Sequence, residues 1–155
     1  MEKPTPLAGR LRTEPVWSLL VALLIGLAGD YLLHWSFPSW EPSFALGLLI
    51  VLLGAFLMTW AASEFSSHKT TLMPSEAAST VVMSGPYRYT RNPIYLSMML
   101  VYAGISLMFD SPLALILILP VIVFLNRQAK REEQYLERVF GDQYAEYRKR
   151  VPRWL

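Results

Sequence analysis

Apolar residues along this chain gather into four runs, separated by polar links. They read PVWSLLVALLIGLAGDYLLHW (15–35), FALGLLIVLLGAFLMTWAA (44–62), PIYLSMMLVYAGISLMF (93–109) and PLALILILPVIVFL (112–125). A helix that crosses a bilayer takes about 20 apolar residues, within a range of about 17–25. The first two runs meet that length, the third just does, and the fourth does so only by continuing into NRQAKREEQ. Backbone amides in hydrocarbon find partners only within their own segment, so each run is expected to be helical. The pattern therefore predicts an all-α, polytopic membrane protein with four spans at about 15–35, 44–62, 93–109 and 112–126. Two polar segments remain, a loop at 63–92 and C-terminal helices at 127–150. Neither can bury a core alone, so 1–155 reads as one membrane-embedded domain. The first run is too long for the apolar core of a signal peptide, and no small-residue cleavage site follows it.

Charge fixes the expected orientation. The chain has 14 Lys and Arg among 155 residues. They fall before the first run, between the second and third, and after the fourth, while the links SFPSWEPS and DSP carry none. With four spans, all of them lie on one side, so the positive-inside rule puts both termini in the cytosol. Trp17, Trp35, Trp40 and Trp60 sit near run ends, where amphipathic rings favour the interface. The tail RKRVPRWL suits anchoring at an anionic leaflet. Hydrophobic residues make up 54% of the chain and charged ones 17%, against roughly 25% charged in soluble domains. The absence of cysteine excludes disulfides, thiolate metal sites and a cysteine nucleophile. With two histidines, His34 and His68, no metal site is expected. Membrane lipids are the expected surroundings, and no nucleic-acid partner is expected.

The link DSP between the third and fourth runs forces a tight helical hairpin. Pro120, inside the fourth run, is either an inert membrane proline or a bend that opens the bundle. Gly47, Gly54 and Gly104 can pack helices within or between chains. Asp30 and His34 are expected at the outer end of the first helix, at the interface.

Beyond the fourth run, Gly141 stops a helix, and a second short one follows. On a 3.6-residue period Ala129, Glu132, Tyr135, Leu136, Val139 and Phe140 share one arc. Glu132 then lies near the centre of the apolar face and Glu133 at its edge. A carboxylate there needs a partner. One reading is a salt bridge to Arg127, Arg131 or Arg88; the other is a pair of acids aimed at a cationic ligand group.

The stretch GPYRYTRNPIY, 85–95, stands at the mouth of the third helix. Gly85 permits a turn, Pro93 fits the first helical turn, and Asn92 is placed as its N-cap. Arg88 and Arg91 bring bidentate donors, the helix start brings free N–H groups, and Tyr87, Tyr89 and Tyr95 bring faces for a ring or a cation.

Together GPYRYTRNPIY, a short hairpin and REEQYLERVFGDQYAEYRKRVP resemble the integral-membrane methyltransferases of the isoprenylcysteine carboxyl methyltransferase and phospholipid methyltransferase group. The resemblance runs from about residue 67 to the C-terminus. It implies an S-adenosylmethionine site in which Gly85, Tyr87, Arg91, Asn92, Pro93, Tyr95, Glu132 and Glu133 bind the cofactor. Arg127 and Glu133 match positions of the family's catalytic region. Many members have His where this chain has Asn92, and Gly where it has Ser97. The implied acceptor is a lipophilic or small carboxylate, amine or thiol. His68 is the loop's only imidazole, and its expected role is a base that takes the acceptor's proton or a loop contact. The competing reading is a non-enzymatic four-helix membrane protein whose basic face binds a partner or anionic lipid.

Overall fold

Each apolar run forms a helix in the computed structural model, which describes residues 7–37, 43–67 and 81–155. Among the described residues the helices are α1 (Leu7–Leu33), α2 (Ser43–Ser67), α3 (Pro93–Met108), α4 (Pro112–Phe140) and α5 (Asp142–Arg150), with a 3-10 turn at Gly85–Arg88 before α3. No strand occurs among the described residues. Among the described residues, three segments are long and apolar enough to cross a membrane: Pro15–Leu33, Ser43–Glu64 and Pro112–Phe140. The fold is that of a helical membrane protein, and large apolar side chains such as Leu24, Leu49, Phe56 and Leu119 face outward from it.

Two expectations change. The third run gives a helix of only 16 residues, Pro93–Met108. At about 1.5 Å per residue it rises about 24 Å, short of a hydrocarbon core of about 30 Å. It is bounded by Pro93 at one end and at the other by Asp110, which turns the chain with φ 48°. The C-terminal helix does not begin at 127 either. α4 continues unbroken from Pro112 to Phe140 through Pro120, so the apolar span and the acidic pair share one rod.

The helices pack through small residues, as membrane helices do without a hydrophobic drive between them. A Cβ on Gly47 would come 2.6 Å from the Gly104 carbonyl oxygen, and one on Gly104 would come 2.7 Å from the Gly47 carbonyl oxygen. α2 and α3 therefore touch backbone to backbone. α1 meets α4 the same way, where a Cβ on Gly26 would lie 2.4 Å from Ala114 Cα. The glycines act within the chain. The hairpin is tied by Tyr102, whose hydroxyl donates to the Ala114 carbonyl at 2.8 Å.

Asp30, near the end of α1 as expected, is buried against the start of α4. The Ser111 hydroxyl donates to its carboxylate, and the Leu113 amide donates to Asp30 Oδ2 at 3.1 Å. Ser111 in turn accepts from the Ala114 amide at 3.3 Å. The carboxylate thus caps the start of α4, whose first N–H groups have no partner inside the helix. Asp30→Ala should cost about 1–2 kcal/mol, read as a lower melting temperature in detergent.

Candidate active site

The GPYRYTRNPIY stretch is held from three sides. Gly85 has φ 56°, in the left-handed region that other residues resist, and a Cβ there would meet the Glu64 side chain at 2.3 Å. The Ser84 hydroxyl donates to that same Glu64 carboxylate on α2. Pro86 stiffens the turn, whose carbonyl accepts from the amides of Tyr89 at 3.1 Å and Thr90 at 3.2 Å. From α5, the Tyr147 hydroxyl donates to the Tyr87 carbonyl at 2.7 Å. From the tail, the Pro152 carbonyl accepts from the Arg91 amide at 3.0 Å, and the Arg153 carbonyl accepts from the Thr90 hydroxyl at 2.8 Å.

Burial pushes the Tyr144 phenol up to about 12, helped by the nearby Glu133 charge, and pushes Tyr147 up further. The Tyr147 phenol therefore keeps its proton in the folded chain. The stability this contributes is fully present below the ordinary tyrosine value of about 10, and is lost as pH rises through the higher folded value. Tyr147→Phe leaves the Tyr87 carbonyl without this donor. It should cost about 1–3 kcal/mol, checked by thermal melts at pH 7.

Glu133 is the centre of the site. It is 4% exposed, and its two oxygens are gripped by Arg153, Nε to Oε1 at 2.7 Å and Nη2 to Oε2 at 2.9 Å. Arg91 Nη1 lies 3.0 Å from Oε2, an ion pair whose angle falls short of a hydrogen bond. The Asn92 amide reaches Oε1 at 3.5 Å. The Arg153 guanidinium is raised above its ordinary value, first by its hydrogen bond to Glu133. Beside this cluster the Tyr95 hydroxyl donates to Glu132 Oε1 at 2.5 Å, and Glu132 is half-buried.

The structure brings Arg91, Asn92, Tyr95, Glu132 and Glu133 together, with Pro93 opening α3 beneath them. It changes several expectations. Glu133 is the buried acid and Glu132 the partly exposed one, because Glu133 faces α3 and the tail while Glu132 faces Tyr95. The acid's partners are Arg91 and Arg153, whereas Arg88, Arg127 and Arg131 are exposed. Asn92 makes no side-chain cap, because its amide turns to Glu133 and to the Arg153 carbonyl, 3.5 Å away. Tyr87 packs with Ala61, Val82 and Ile94, while Tyr89 is the exposed ring. Ser97 sits fully buried, donating to the Ile94 carbonyl at 2.6 Å. His68 lies outside the described residues.

Arg153 is the residue that sequence reasoning passed over, as part of a surface anchor. Its neighbour Trp154 donates through Nε1 to Asn126 Oδ1 at 3.3 Å, so the tail folds back on α4. The available signal was chemical: Glu133 needed a cation, and Arg153 stands between Pro152 and Trp154, where a chain turns and packs.

These features define a helical membrane protein with a buried, charge-clamped polar site where its loop, long helix and tail meet. The chain belongs to the phospholipid methyltransferase family, whose family model matches residues 42–143. It is similar to protein-S-isoprenylcysteine O-methyltransferases. The one from Rattus norvegicus is 32% identical over 111 residues, covering 70% of this chain and 39% of that protein. The Saccharomyces cerevisiae protein is 32% identical over 110 residues, covering 68% of this chain and 46% of the other. A form called B from Arabidopsis thaliana is 31% identical over 122 residues, covering 77% and 59%. The chain thus spans about two fifths to three fifths of the length of these relatives. No solved structure matches it.

Proposed function

We propose that this chain is an S-adenosylmethionine-dependent methyltransferase. It acts on a lipophilic or small carboxylate, amine or thiol at the membrane interface. The names of its relatives favour the carboxylate of an S-prenylated cysteine. In this reading four helices cross the bilayer, with α3 as a short span seated against α2. The loop, the α4 end and both termini face the cytosol, where the basic residues gather. The observation that supports it most is the clamp at Glu133, which joins the two halves of the family motif into one site.

The residues fit the donor's chemistry. Arg91 and Arg153 carry two positive charges against one on Glu133, a surplus that suits the donor's carboxylate. Arg91 also has a buried Nε with no hydrogen-bond partner. Glu132, held by Tyr95 at the edge of the cluster, suits the donor's ammonium. The exposed ring of Tyr89 suits an adenine or sulfonium face. When bound, the donor supplies a methyl group on a sulfonium centre, ready for in-line displacement. The chain's own residues fix its amino-acid end, so that an acceptor arriving from the bilayer meets a methyl group already aligned. Such alignment is worth about 7–11 kcal/mol of barrier. A carboxylate acceptor reaches the site ionised and asks for no base; an amine or thiol would place that demand on a group such as His68.

Calorimetry in detergent tests this reading. S-adenosylmethionine should bind saturably, and Arg91→Ala and Glu132→Ala should each weaken it about tenfold or more while the melting transition survives. If the unaltered chain shows no saturable binding, the enzyme reading fails, and a non-enzymatic membrane protein with a basic face for a partner or anionic lipid replaces it.

A further inference from the structure

Two arginines share one buried carboxylate unequally. Arg153 takes both oxygens of Glu133 in a fork, at 2.7 and 2.9 Å. Arg91 has a side chain 8% exposed, yet its Nη1 makes only an ion pair with Glu133, and its Nε is buried without a hydrogen-bond partner. A guanidinium has five donors in a rigid fork, and leaving them unused in a buried site is costly. The hydrogen bond of Arg91 with Tyr144 leaves Nε and Nη1 as the donors to be filled, and Arg153 holds the Glu133 oxygens that could fill them. The tail is held for that purpose by its own bonds: Pro152 to Arg91, Arg153 to Thr90, and Trp154 to Asn126.

We infer that Arg153 is a positioning residue that occupies Glu133 so that the Arg91 guanidinium stays available to a carboxylate on a ligand. This rests on the donor-binding reading above. The C-terminal tail is then part of the site, and its contribution is specific to the ligand's negative group rather than to the fold. Two ligands bring a carboxylate here, the amino-acid end of the methyl donor and the acceptor itself.

The test compares the unaltered full-length chain with Arg153→Gln and Arg153→Lys in detergent. The donor arm measures the affinity of S-adenosylmethionine against decarboxylated S-adenosylmethionine. The acceptor arm measures the dissociation constant of an S-prenylated cysteine against that of its carboxamide. Arg153→Gln should weaken the carboxylate-bearing member of one arm about tenfold or more and leave its carboxylate-free counterpart unchanged within about twofold. The arm that responds names the ligand. Arg153→Lys, which keeps the charge but loses the fork, should fall between the two and retain the melting transition. Equal losses for carboxylate-bearing and carboxylate-free ligands in both arms would overturn the inference and leave Arg153 a structural residue, as would no loss in either arm. Failure of the unaltered chain to bind any of these ligands would instead refute the methyltransferase reading itself.

Discussion

Glu133→Ala should destabilise the protein by about 3–5 kcal/mol and, on the proposed reading, abolish methyl transfer. The substitution removes the carboxylate that Arg91 and Arg153 share, and leaves two like charges facing each other. One of them has a side chain 8% exposed and the other 23%. Breaking a buried pair by deleting one partner costs that much because the remaining charge is uncompensated. An exposed pair such as Arg148 with Glu137, at 48% and 42%, should cost no more than about 1 kcal/mol when broken. Glu133→Gln keeps the shape but loses the charge, and its NH2 group replaces one of the fork's two acceptors with a donor, so it should fall between. Thermal unfolding in detergent of Glu133→Ala, Glu133→Gln and Glu137→Ala checks the ordering, and a loss at Glu133 no larger than at Glu137 would show that the clamp is not buried.

Gly104→Val should be strongly damaging to the packing of α2 on α3. A Cβ at Gly104 would stand 2.7 Å from the Gly47 carbonyl oxygen and 2.8 Å from the Val51 amide nitrogen, so backbone rather than a flexible side chain must yield. Overpacking typically costs about 1–3 kcal/mol, and a contact with backbone on the facing helix belongs at the top of that range. Because α3 carries Arg91 and Tyr95 at its mouth, the shift should reach the site as well. Gly141→Ala is the contrast: its φ of 53° is unfavourable for alanine, but nothing lies within 4 Å of the added carbon. It should cost about 1–2 kcal/mol, and leave ligand binding unchanged. Melting curves paired with donor titrations separate the two variants.

The helices were legible because hydrocarbon leaves the backbone no other choice, and the Gly-Pro turn because Gly85 and Pro86 restrict it in opposite ways. The convergence of Arg91 and Tyr95 with the acidic pair was legible only through the paired motifs, since no local pattern says which helix a loop folds against. Three things escaped. The 3.6-residue arc put Glu132 at the centre of the buried face, but the loop and tail cover α4 from the side where Glu133 points. Asn92 is the N-cap residue its place before Pro93 predicts, yet its side chain caps nothing, because its amide turns to a buried carboxylate. Asp30 stands at the end of α1, where its place in the run puts it, but its partner at the start of α4, 81 residues on, has no signature in the sequence. Each miss has the same origin: tertiary partners decide where a polar side chain in an apolar helix goes, and spacing along one element does not name them.

Photolabelling tests the central claim most directly. Purified chain irradiated with S-adenosylmethionine, then digested and mapped, should carry the label on peptides holding 85–95 and 126–133, with competition by unlabelled donor. Label confined to α1 or α2, or label that excess donor does not displace, would contradict a single donor site built from the arginine-tyrosine loop and the paired glutamates.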